Sequence, residues 1–168
     1  MILSKQRRST GATLLETTIA ACTSALFLGS LFTMNMTAMR AMRTAREATS
    51  ASQVLQQRVE GMRIANWYQI TDPDWVRNNL LASDADGASG LKQMSETVTL
   101  VPYGSNTAGN AQITRANGTA QVVNRSSALL GEGAIKVIWT VAYTGGMQSQ
   151  TTTRQMVAIL AKGGVAKW

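Results

Sequence analysis

The 168-residue sequence predicts an α+β fold: one long N-terminal helix, apolar in its first half and amphipathic in its second, packed on a small C-terminal antiparallel β-sheet. Three observations predict it. Between Arg8 and Arg40 the only formal charge is Glu16, over a run longer than the ~20 residues that cross a hydrocarbon core of about 30 Å as a helix. No Pro or Gly then interrupts the chain between Gly29 and Gly61, while small and apolar residues recur at spacings of three and four. From Met94 onward the period changes to strict alternation, the pattern of half-buried strands.

Residues 1–11 form a short basic leader with Lys5, Arg7 and Arg8, which is set apart from the fold. Residues 12–39 form the membrane-crossing half of the helix and residues 40–67 its amphipathic half. In the second half Ala38, Ala41, Ala45, Ala48, Ser52, Leu55, Val59 and Met62 make the stripe expected to be buried. Arg43, Arg46, Glu47, Gln53, Gln57 and Glu60 make the wet face. Continuing to about Trp67 makes a helix of about 55 residues, or roughly 80 Å at 1.5 Å per residue. Asn66-Trp67-Tyr68 and Asp72-Pro73-Asp74 are expected to break it, because proline disfavours helical geometry in the preceding residue. A short turn from Trp75 to Leu81 follows, with Asp74 as its expected cap, then a loop from Ala82 to Gly90.

Residues 68–168 hold that loop and the sheet. Met94, Glu96, Val98 and Leu100 interleave with Ser95, Thr97, Thr99 and Val101 in a first strand ending at Pro102. A polar loop, Gly104 to Asn110, leads to two short strands, Gln112 to Ala116 and Thr119 to Asn124. Between them Asn117-Gly118 suits the left-handed conformations of a two-residue hairpin. Ile135, Val137, Trp139, Val141 and Tyr143 alternate with Lys136, Ile138, Thr140, Ala142 and Thr144, so one face of this strand is core. Gly145-Gly146 offers a turn into a returning strand, Gln148 to Ala161, and a basic tail ends the chain.

Composition narrows the chemistry. The chain has no His, and its one thiol, Cys22, lies in the apolar run, which excludes an internal disulfide, a Cys/His metal site and a nucleophile-histidine pair. No enzyme and no cofactor are expected. Asp84 and Asp86 beside Gly87 lack the further acidic ligands of a calcium loop, so ordinary loop chemistry is the expectation there. Formal charge is +7, and without the three basic leader residues +4 remains on side chains, a mild excess. Arg40, Arg43 and Arg46 cluster just past the apolar run, where they could snorkel, meet phospholipid headgroups or simply form a solvated face.

The segment Gly11-Ala12-Thr13-Leu14-Leu15-Glu16, preceded by Lys5, Arg7 and Arg8, resembles the prepilin-like proteins of type IV pili and type II secretion systems. Their pattern is Gly, a large apolar residue, Ser or Thr, Leu, an aliphatic residue and Glu; Ala12 departs from it, standing where Phe or Met is usual. The resemblance covers the leader and the first helical turns. The terminal hairpin more loosely resembles minor pseudopilins of the I or V type. It implies a pilin-like fold, cleavage after Gly11 by a prepilin peptidase, N-methylation of Ala12 and an assembly role for Glu16. Other pseudopilins or pilins and an inner-membrane assembly platform are the implied partners. It further implies a single-pass protein of the bacterial inner membrane, leader in the cytoplasm and C-terminal region in the periplasm. Counting positive charges on the two flanks does not settle orientation.

Other readings stand beside this one. Arg7-Arg8 lacks the apolar residue and lysine that follow in a twin-arginine signal. Ile19-Ala20-Ala21-Cys22 looks like a lipobox, which would make a lipid-anchored periplasmic binding module, but Glu16 would then sit inside the signal's apolar core. A signal anchor followed by a juxtamembrane coiled coil leaves the Gly-to-Glu spacing unexplained. A DNA-binding competence pilin would use Arg115, Arg125 and Arg154, but no aromatic ladder accompanies them, and nucleic acid is not an expected partner.

Overall fold

The computed structural model describes residues 10–104, 110–145 and 150–163, with side chains from Thr13 onward. Its order is helix α1 (Thr10–Ile64), the short turns α2 (Trp67–Ile70) and α3 (Pro73–Trp75), a π-helical turn (Val76–Leu80) and a 3-10 turn (Ala88–Gly90). The strands β1 (Lys92–Pro102), β2 (Ala111–Ala116), β3 (Thr119–Asn124), β4 (Ala134–Thr144) and β5 (Thr151–Ala161) follow, with another 3-10 turn (Ala128–Gly131) before β4. The α+β class is as expected. The chain divides into two compact units between Met42 and Arg43.

In the first unit α1 is helical with every described side chain from Thr13 to Met42 exposed, including Leu14, Leu15, Phe27 and Phe32. Six of its hydroxyls are closed onto their own helix. Thr17 and Thr18 donate to the Leu14 carbonyl, Thr23 to Ile19, Ser30 to Phe27, Thr33 to Ser30 and Thr37 to Thr33. Such back-bonding satisfies these six hydroxyls within the helix itself, as a helix in an apolar environment requires.

The second unit is a five-stranded antiparallel sheet of order β3-β2-β1-β4-β5, covered on one face by the helix from Arg43 to Ile64. Register places Val122, Ile113, Val98, Trp139 and Met156 in one apolar row across all five strands. Ala51, Val54, Leu55 and Met62 of α1 belong to the same core. The expected inward set of β4 is buried as a set. Asn117 (φ 51°) and Gly118 (φ 78°) both adopt the left-handed region, the turn that the Asn-Gly pair suggests. Pro102 ends β1 opposite Ile135; pairing with β2 stops at Leu100, so the proline serves a single neighbouring strand. Parts of the expected 104–110 loop and Gly146 to Ser149 at the last turn lie outside the described residues, as does the tail from Gly164.

Three expectations are corrected. First, α1 ends at Ile64 rather than Trp67. Asn66 starts a new turn through a capping box, its side chain accepting from the Gln69 N–H while Gln69 accepts from the Asn66 N–H, both at 3.0 Å. Second, Asp72, not Asp74, caps the next turn, accepting from the Asp74 N–H at 2.9 Å with Pro73 in the first helical position. Proline suits that position because its missing N–H would have had no partner there. Third, Ala38, Ala41 and Ala45 are exposed, and the buried stripe runs through Ala51, Val54, Leu55, Arg58, Val59 and Met62.

Arg58 in that stripe meets Glu96 of β1. The carboxylate is wholly buried and accepts from Arg58 Nε at 2.9 Å and Nη2 at 2.8 Å; Arg58 also donates to the Leu80 carbonyl and, at 2.8 Å, to the Ser83 carbonyl. Arg115 of β2 approaches the same carboxylate at 3.7 Å and is bound by Asp84. Removing one partner from a buried ion pair costs about 3–5 kcal/mol, because the other charge is left unmatched in a poor solvent. Glu96→Ala and Arg58→Ala should each destabilise the fold by about that much in chemical denaturation. The joint Arg58→Met, Glu96→Leu variant should lose much less than the sum, since no charge is then stranded. Additive losses in the pair would mean that the two side chains act independently.

Candidate functional site

Glu16 is the acid that the apolar run isolates. It lies on α1 amid exposed Leu14, Leu15 and Ile19, and among the described residues no Lys or Arg stands within ion-pair distance of it. An acid inside a membrane helix costs on the order of 3 kcal/mol and is by default a functional group awaiting a partner. Its own chain supplies none among those residues. Gly11 and Ala12 lie in the first turn of α1, and the basic residues of the leader lie outside the described residues.

Thr13–Ile64 contains the one segment among the described residues that is long and apolar enough to cross a membrane, with mean hydropathy 1.5 in its most apolar window and none of that window buried. Cys22 is exposed within this helix. A helix that is apolar around its circumference and buries nothing within its own chain is suited to lipid or to the helices of other subunits.

The other candidate residues fall elsewhere. Asp84 is engaged by Arg115, while the Asp86 N–H donates to Gln57 of α1 at 2.6 Å. Among the described residues no group of three His, Cys, Asp or Glu side chains comes together. Of the three arginines considered for nucleic acid, Arg115 is buried in the Glu96 cluster, and Arg125 is paired with Asp74. Arg154 stands exposed on β5. The three do not form one basic surface. Sequence reasoning missed Arg58 and Glu96. A signal was present: Glu96 alternates in phase with Met94, Val98 and Leu100, and Arg58 falls between Leu55 and Met62 on the buried stripe.

Asp74 is held by both terminal nitrogens of Arg125, across from β3, and by Arg77 one turn on. The Arg125 hydrogen bonds hold its carboxyl below the usual carboxylate range, against a smaller opposing effect of burial and with further help from the charges of Arg125 and Arg77. A depressed folded-state pKa contributes stability above the ordinary carboxylate pKa, and that contribution fades as the pH falls through the folded value.

No protein-family model, no curated protein and no solved structure matches this chain. The geometry above is what bears on its role. One consequence is directly measurable: Arg125→Ala should raise the Asp74 pKa toward the ordinary value in a carboxyl NMR titration and leave the stability at neutral pH almost unchanged, since the pair is on the surface. An unmoved Asp74 titration would mean that Arg125 does not hold it in solution.

Proposed function

We propose that this chain is a minor pseudopilin or pilin-like subunit, a structural component of a filament of the type II secretion or type IV pilus kind. A prepilin peptidase cuts after Gly11, and the mature chain sits in the bacterial inner membrane by its apolar helix, with its C-terminal unit in the periplasm. Other pseudopilins or pilins then pack against that helix on an inner-membrane assembly platform. The observation that carries this reading is Glu16: an acid on an apolar, fully exposed helix surface with no cation of its own chain beside it among the described residues.

Cutting after Gly11 would free an α-amine on Ala12, four residues before the acid. The amine stays cationic at neutral pH with or without a methyl group. In a packed bundle of such helices the Ala12 ammonium of one subunit reaches the Glu16 carboxylate of the next, and each cancels a charge that lipid solvates poorly. Apolar packing supplies the attraction and is nearly indifferent to register. The charge pair is not indifferent, because a subunit docked one turn out leaves both ions unmatched.

The antiparallel sheet under the amphipathic stretch of α1 also agrees with a pilin-like architecture, in which the second part of the helix backs the sheet. Two measurements test the proposal. Intact-mass analysis of protein from cells should show a chain beginning at Ala12; a chain still beginning at Met1, or a lipid on Cys22, would overturn the processing. Glu16→Ala should insert and be cut normally yet lose at least tenfold in co-purification with sibling subunits. Undiminished assembly by that variant would remove the role of the acid.

A further inference from the structure

The second unit carries a cleft of about 720 Å³ between the first turns of its helix and the approach to β1. Arg43 and Arg46 line it from α1 and Lys92 from the start of β1, together with Ser50 and Ser89. One carboxylate, Glu47, faces these three cations and stands 3.3 Å from Arg43 Nε. Neither Arg46 nor Lys92 has a carboxylate within ion-pair distance among the described residues, and both are exposed. An uncompensated pair of cations remains at a concave, hydroxyl-bearing surface.

The convergence is built by backbone. Gly90 sits so close to the helix that a Cβ there would come within 2.9 Å of Ser50 Oγ, and one at Gly87, at φ +90°, would make a tight contact of 3.1 Å with the Ser50 carbonyl oxygen. A side chain at Gly87 would also be strained by its left-handed backbone, and one at Gly90 would require Ser50 to turn away. Just beyond, pairing with β4 shifts register between Lys92 and Ser95, and Gln93 takes φ 47°. A bulge of this kind re-aims the side chains at a strand end. Lys92, some fifty residues along the chain, thereby joins Arg43 and Arg46.

We propose that this cleft is a binding site for a phosphate group, supplied in the membrane by the headgroup of an anionic phospholipid. Guanidinium and ammonium groups match phosphate oxygens in charge and hydrogen-bond direction. Arg43 and Arg46 follow directly on the apolar stretch of the same helix, at the level where a headgroup region meets the end of a spanning segment. The choice of a lipid as the source rests on the membrane-spanning reading; the phosphate chemistry does not.

The test uses the full chain in mild detergent, with lipid retention measured by native mass spectrometry. Wild type should retain phosphatidylglycerol in preference to phosphatidylcholine. Arg46→Ala and Lys92→Ala should each weaken that retention about fivefold, the double variant about 25-fold, while Arg46→Lys and Lys92→Arg keep most of it. Thermal melting of the variants should be unchanged, because both side chains are exposed. A parallel titration with inorganic phosphate distinguishes the sources. Displacement of the lipid by phosphate supports a site for the headgroup phosphate, and phosphate binding lost in the double variant without any lipid preference supports the site with a soluble phosphate as its ligand. Lipid preference that survives loss of both cations, or no response to either phosphate source, overturns the proposal. Release of the protein from membranes by alkaline carbonate would overturn the membrane reading instead, with the phosphate titration still deciding the cleft.

Discussion

Glu96 reaches the floor of the core on a strand whose same-face neighbours are Val98 and Leu100, and it is fully buried there. A bare carboxylate in that position would cost far more than the net stability of a domain this size. It is tolerated because Arg58 approaches as a fork, two nitrogens to two oxygens, and its remaining donors close on the Leu80 and Ser83 carbonyls. Desolvation and attraction nearly cancel in such pairs, so the gain is geometric more than energetic. A fork accepts one orientation, whereas apolar packing accepts several. One ion pair thus fixes the rotation of the helix from Arg43 to Ile64 over the sheet, and through the Leu80 and Ser83 carbonyls it ties down the connection that carries them. Arg115, between Glu96 and Asp84, extends the same constraint to the second strand.

Everything else in the second unit uses that register. The Ala88–Gly90 turn can press against Ser50 only if the helix presents Ser50 there, and Lys92 can join Arg43 and Arg46 only if the turn is so placed. The apolar row from Val122 to Met156 supplies most of the attraction, at about 25 cal/mol per Å² of apolar surface removed from water, but it would slide without a polar lock. In the first unit the relation is reversed. Among the described residues its helix buries nothing of its own chain, six of its hydroxyls bond back onto the helix, and its single acid has no cation nearby. The second unit has a core of its own; the unpaired acid of the first is what the proposed filament role uses.

Much of this was legible in the residues. Periodicity located the helix, β1, and β4 with its core face, because those patterns are one-dimensional consequences of 3.6 and 2 residues per repeat. Asn117-Gly118 located the hairpin, because few other pairs enter the left-handed region at both positions. Reading failed where two local signals competed. Asp72 and Asp74 both flank Pro73, and only the proline's preference for the first helical position decides that Asp72 is the cap. Ala38, Ala41 and Ala45 are spaced like buried residues, but spacing shows only that a stripe exists and not what covers it.

The sequence by itself determined the apolar helix, its isolated Glu16, the alternating strands and the turn between β2 and β3, since each depends on residues close together in the chain. Only the tertiary structure decided that Arg58 and Glu96, thirty-eight positions apart, share one buried bond, and that Lys92 stands with Arg43 and Arg46 around one cleft. A charge written in a sequence carries no indication of which distant charge will neutralise it. That choice belongs to the sheet register and the helix rotation, which arise from the packing of the whole unit.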